Sequence, residues 1–235
     1  MMMLKRFPIL VIAFIIAAPM LMGQTAEMTV EEAYLMEAME MLVIRETSRA
    51  NSREQKLIAL QYIGSALERG STNEEIRATL ELLSMEGTMN QARERGRLMN
   101  DFPEVRREAA RYLGILGTEE ARAALIRICT SESEPMVLQE ALRSLGHIDL
   151  PDSEGAISTI VWIGNRFNNT TSPDNLIALS AVDALDRIAA RSGGLQDPTA
   201  IQLLIRISEG SYAPPVRERA RQTLVNLRRH AAATR

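Results

Sequence analysis

Glu81, Arg127, Trp162 and Arg206 occupy one position in four short apolar segments of this 235-residue chain. The segments are Leu80-Glu81-Leu82, Leu125-Ile126-Arg127-Ile128, Ile160-Val161-Trp162-Ile163 and Leu204-Ile205-Arg206-Ile207. Helices packed side by side lie about 10 Å apart, so long side chains sharing such a column reach their neighbours. Two arrangements suit these residue types. An Arg–Trp–Arg patch would grip an acidic or aromatic group through charge and cation–π contact. An edge ladder would instead pair Arg127 and Arg206 with nearby Glu or Asp while Trp162 fills the core.

Catalysis has less to build on. The chain has no phosphate-cradling glycine loop, no paired-cysteine zinc pattern and no Gly-x-Ser-x-Gly elbow. Its two histidines are His147, after Gly146 at the end of a helical pattern, and His230, in a basic C-terminal stretch. The first position suits capping and the helix dipole, and the second a solvated surface. Cys129 ends the apolar run Leu125 to Ile128 and reads as a small buried hydrophobe. A single thiol forms no internal disulfide, so packing must supply the stability. No catalytic residue, metal or cofactor is assigned.

The column needs stacked helices, and the sequence supplies a repeat that makes them. Pro103-Glu104-Val105-Arg106-Arg107-Glu108-Ala109-Ala110-Arg111-Tyr112-Leu113-Gly114 returns in part at Pro135 to Gly146 and at Pro215 to Leu224. Weaker copies run from Pro173 and from Gln55. Val105, Ala109, Ala110 and Leu113 fall at i, i+4, i+5 and i+8, one face of a helix. Gly114 and Gly117 are expected to end that helix. A second helical pattern comes after each copy but the one at Pro215, over 72–84, 118–129, 155–167 and 198–208. Capping boxes are expected at Thr29-x-x-Glu32 and Thr72-x-x-Glu75, and caps before proline at Ser172 and Asp197. Equivalent positions are 50, 32, 40 and 39 residues apart, from Gly64 through Gly114, Gly146 and Asp186 to Val225. The long first interval holds an arginine-rich piece, Asn90 to Asn100. Its Arg93–Arg97 cluster reads as a solvated helix or loop face.

The Pro-x-Val-Arg-x-x-Ala-Ala-x-x-Leu-Gly run resembles HEAT repeats, and most closely their short bacterial variant, the phycobilisome-lyase type. The resemblance covers about residues 51–229. It implies an all-α fold: a right-handed α-solenoid of about four HEAT-like hairpins with capping helices at both ends. Terminal units of such stacks are atypical. HEAT arrays serve mostly as scaffolds and binding surfaces, so the resemblance implies a protein partner. Metal binding by His-Glu pairs, known among HEAT-repeat enzymes, finds no such pair here.

Lys5 and Arg6 precede an apolar stretch from Ile9 to Met22, followed by Gly23-Gln24-Thr25-Ala26. A basic start, a short apolar core and a small-residue exit describe a secretory signal peptide. The stretch is 14 residues long, short of the roughly 20 a spanning helix needs. The expected organisation is a signal peptide at 1–23, a capping helix at 24–50 and the solenoid at 51–235. Without Lys5 and Arg6, 25 basic residues stand against 30 acidic ones, a balance that excludes an electrostatic nucleic-acid binder. The expectation is a non-catalytic scaffold or interaction module, periplasmic or secreted, that binds a protein of the cell envelope. If the leader is retained, the chain becomes a membrane-tethered assembly factor. A third class is a small-molecule binder or enzyme using the concave groove.

Overall fold

The structure, a computed structural model, describes residues 29–89, 91–151, 153–168 and 172–233. The expected signal peptide at 1–23 lies outside the described residues, as do 24–28 and residues 169–171 of the polar loop. The chain divides into two compact units, Met1–Glu37 and Ala38–Arg235. In the first, the described residues begin α1 (Val30–Arg49). Thr29 N donates to Glu32 Oε2 at 2.9 Å and Glu32 N donates to Thr29 Oγ1 at 3.2 Å. This is the reciprocal cap that the spacing predicts. The division falls inside α1.

In the second unit nine helices come after α1 among the described residues, and they stand in two rows. The first row is α2 (Arg53–Glu68), α4 (Pro103–Leu116), α6 (Pro135–His147), α8 (Asn175–Ser192) and α10 (Pro214–Ala233). The second is α3 (Glu74–Ser84), α5 (Glu119–Ser131), α7 (Glu154–Asn168) and α9 (Pro198–Glu209). Each first-row helix packs on its neighbours in the row and, α10 apart, on the second-row helix next in the chain. The chain is an all-α solenoid of four helical hairpins plus α10.

The core lies between the rows, where Leu60, Ile63, Leu80, Leu113, Leu125 and Leu142 are fully buried. Each such side chain contributes roughly 1.5–3 kcal/mol relative to exposure. The apolar spacing of the repeat is what directs these residues to one face. Within the first row the helices touch backbone to side chain. A Cβ at Gly114 would stand 2.6 Å from Ser144 Cβ, and one at Gly146 would stand 2.6 Å from Ala184 Cα. Gly114 therefore does not end α4. The helix runs on to Leu116 and stops at Gly117, whose φ of +68° is the left-handed cap. In the fourth unit Asp186 holds the glycine position, and an ionic clamp replaces the close approach. Arg219 on α10 donates to Asp183 Oδ1 at 2.6 Å and to Asp186 Oδ2 at 3.0 Å, and Asn226 donates to Asp186 Oδ1 at 3.2 Å.

Three local expectations are corrected. Asn73, not Thr72, caps α3, accepting from Ile76 N at 2.8 Å. It stands immediately before the first helical residue, where a side-chain oxygen reaches an orphan amide. Asp174, not Ser172, caps α8, accepting from both Leu176 N and Ile177 N, so Pro173 stays outside the helix. The arginine-rich piece is neither helix nor irregular loop. It is a β-hairpin of β1 (Arg93–Glu94) and β2 (Arg97–Leu98) around Arg95-Gly96. The cap at Asp197 forms as expected, accepting from Thr199 N at 2.7 Å.

Candidate functional site

Each member of the column sits on a second-row helix: Glu81 on α3, Arg127 on α5, Trp162 on α7 and Arg206 on α9. Their helices pack in that order. The structure does not treat the four alike. Arg127 donates to Glu81 Oε2 at 2.9 Å, and the half-buried Glu81 also receives Arg77 from one turn before it. Arg77 in turn pairs with Glu74, and Arg122 with Glu119 at 2.6 Å. This part of the row is the edge ladder, with its cations already matched by carboxylates.

The other part of the row departs from the ladder. Trp162 does not fill the core: it is 47% exposed. The core beside it is taken by Ile160, Val161 and Ile163, whose directions on the helix point inward and leave position 162 facing out. Arg206 is exposed and makes no ion pair among the described residues. It is not the cation over the indole ring. That cation is Arg166, one turn along α7, whose guanidinium carbon lies 5.5 Å from the Trp162 ring centroid. The same guanidinium lies 5.5 Å from the Phe167 ring. Arg166 was legible from its i, i+4 spacing to Trp162, which an alignment between repeats does not test. Arg206 stands near Tyr212, whose hydroxyl donates to Asn168 Oδ1 at 2.6 Å. Burial raises the Tyr212 pKa, with the Arg206 charge opposing. Trp162 and Arg166 thus form an outward cation–aromatic pair on α7, and Arg206 is exposed on the neighbouring α9, with no ion pair to either arginine among the described residues.

A second cluster was not anticipated. Arg106, from the repeated Val-Arg pair, is 1% exposed. Its Nε donates to Glu132 Oε2 at 2.7 Å, and Nη2 approaches Oε1 at 3.4 Å. Its Nη1 donates to Asp101 Oδ1 at 2.8 Å and to the Glu86 carbonyl at 3.0 Å. Burial opposes the charge, yet the bonds to Glu132 and Asp101 prevail and the Arg106 pKa is raised. Glu132 Oε1 also accepts from Ser133 N and Glu134 N. Alongside, the buried Lys56 donates to the Ser48 carbonyl at 2.9 Å and pairs with Glu86 Oε2 at 3.1 Å. Asn100 donates to Glu86 Oε1 at 2.7 Å and accepts from Ala92 N at 2.8 Å. Every charge in this cluster is matched, so its role is to fix backbone rather than to react.

The remaining candidates are structural. His147 closes α6, and its Nδ1–H donates to the Arg143 carbonyl at 2.9 Å, the capping role expected. Cys129 is buried, and burial pushes its thiol up to about 12. Among the described residues, no group of three or more His, Cys, Asp or Glu could hold a metal ion. A cleft of about 420 Å³ lies at α9 and α10, lined by Leu195, Ile201, Ile205, Leu224 and Leu227 with Arg228. No carboxylate lines it. Among the described residues no helix is long and apolar enough to cross a membrane.

No curated protein matches the chain. Residues 96–161, which take in α4, α5, α6 and the first part of α7, match the family model for HEAT repeats. The centre of the solenoid is thus similar to HEAT repeats, a repeat type that commonly mediates protein–protein interaction.

Proposed function

We propose that this chain is a non-catalytic interaction module, exported to the cell envelope by a removable leader, that grips a protein partner through the outward face of α7 and α9. One observation carries the reading: Trp162 stands 47% exposed with the Arg166 guanidinium over its ring. Trp and Arg are the side chains that dominate binding energy at interfaces. Here they lie on regular helices, so little order must be imposed on binding. Arg206 extends the surface onto the next helix. Arg127, already held by Glu81, contributes less. The partner group that suits this surface is acidic or aromatic.

The test is crosslinking and pull-down of the protein from its own envelope fraction, comparing wild type with Trp162→Ala/Arg206→Ala. The double variant is expected to lose about 2 kcal/mol or more of binding, the threshold that marks dominant interface residues. Unchanged capture with helicity intact would overturn the assignment. Mass spectrometry of the natural N-terminus tests the address: a start near Gln24 or Glu27 means cleavage. An intact leader makes the chain a membrane-tethered assembly factor instead.

A further inference from the structure

The β-hairpin between α3 and α4 has features that its length does not require. It has two residues in each strand, too few to be stable in isolation. Yet its base is fixed by the buried cluster: Asn100 holds Ala92 N and Glu86, and Arg106 holds Asp101 and the Glu86 carbonyl. Replacing buried ion pairs by apolar side chains is often neutral or stabilising, so such pairs are weak sources of stability. What this cluster secures is position.

The tip is shaped as well. Arg95 has φ +51°, the one positive value outside glycine among the described residues. Gly96 comes next at φ +81°. A two-residue turn with positive φ at both positions favours Asn-Gly or Gly-Gly, and an arginine held there is strained. The arginines also divide by duty. Arg93 braces the turn, donating to the Gly96 carbonyl at 3.2 Å and to Gln91 Oε1 through two nitrogens. Arg95 and Arg97 are exposed and form no ion pair among the described residues. Glu94 stands opposite Arg97 in register without pairing to it.

We infer that this hairpin is a second, independent docking element that presents Arg95 and Arg97 to a short carboxylate-rich segment of a partner protein. Two guanidinium forks on a rigid base match carboxylates in geometry as well as charge. A short acidic segment fits better than a long polyanion. The chain as a whole is acidic, and repulsion from the rest of its surface opposes a nucleic acid or an anionic membrane.

The probe is a fluorescent octaglutamate peptide, titrated into the full chain and followed by anisotropy at low and high salt. Wild type should bind, more weakly at high salt, and Arg95→Glu/Arg97→Glu should weaken binding about tenfold or more. Arg95→Gly separates strain from charge. It should weaken binding while raising Tm, because glycine takes the turn without cost. The peptide titration reads Arg95 and Arg97, whereas the pull-down reads Trp162 and Arg206, so failure here is distinguishable from failure of the α7–α9 surface. No binding by wild type, equal binding by the double variant, or tighter binding to anionic vesicles or single-stranded DNA would each overturn the proposal.

Discussion

Arg106 and Arg217 occupy the same place in two copies of the Val-Arg pair, and their surroundings differ sharply. Arg106, on α4, is sealed in and makes bonds to Glu132, Asp101 and the Glu86 carbonyl. Arg217, on α10, has a buried Nε with no hydrogen-bond partner among the described residues. For Arg106 the partner comes from the element next in the chain. Glu132 is the residue at which α5 ends, and α5 is the helix directly after α4. No described helix comes after α10. The motif arginine is therefore a socket for the end of the next second-row helix. At Arg106 that end locks the unit, and at Arg217 the buried Nε is left without a hydrogen-bond partner among the described residues, which is a cost.

The largest effect should come from emptying the filled socket. Arg106→Ala leaves Glu132 buried without its cation and should cost about 3–5 kcal/mol in denaturant unfolding. Arg106→Met with Glu132→Leu should recover most of that loss, because the unpaired charge goes too. A single variant that unfolds like wild type would show that this pair does not lock the unit.

An intermediate effect separates the two kinds of first-row contact. Gly146→Ala forces a Cβ to within 2.6 Å of Ala184 Cα, and overpacking of this kind costs about 1–3 kcal/mol. Asp186→Ala removes one partner from Arg219, which keeps Asp183, and a partly exposed ion pair is worth about 0–1 kcal/mol. Thermal unfolding should rank the glycine variant below the aspartate variant. The reverse order would mean that the clamp, not the close approach, holds the row.

The smallest effect belongs to the empty socket. Arg217→Leu removes a buried donor without a partner and should change stability by under about 1 kcal/mol, in the stabilising direction. A loss as large as that of Arg106→Ala would show that Arg217 has a partner of equal weight.

Much of the architecture was legible, because it rests on local periodicity. Val105, Ala109, Ala110 and Leu113 define a buried helical face wherever the helix is put. Thr29 with Glu32, and Asp197 before Pro198, form caps within three residues. The failures share one cause, which is that the deciding partner is distant in sequence. Gly114 looked like a helix stop because the reason for it, Ser144, is on another helix. Trp162 looked like core in the ladder arrangement because its apolar neighbours gave no sign of which side faced out. At the candidate site, the column was visible across repeats, but not which of its arginines were already neutralised. Arg127 and Arg206 are the same residue in the same register. Only the position of Glu81 tells them apart.

The sequence by itself determined that this chain makes helices of a certain length, in hairpins, with one apolar face each. Those properties arise from side-chain periodicity and capping, which act over a few residues. The tertiary structure alone decided which charges are matched, which aromatic side chain is exposed, and where the arginine-rich insertion is fixed. Lys56, Glu86, Asn100, Arg106 and Glu132 carry no mutual signal along the chain. They become a single unit only when stacking brings α2, α4, α5 and the loop before α4 to one place. Taking charge out of water there demands a matched partner, and packing decides which residue is near enough to serve.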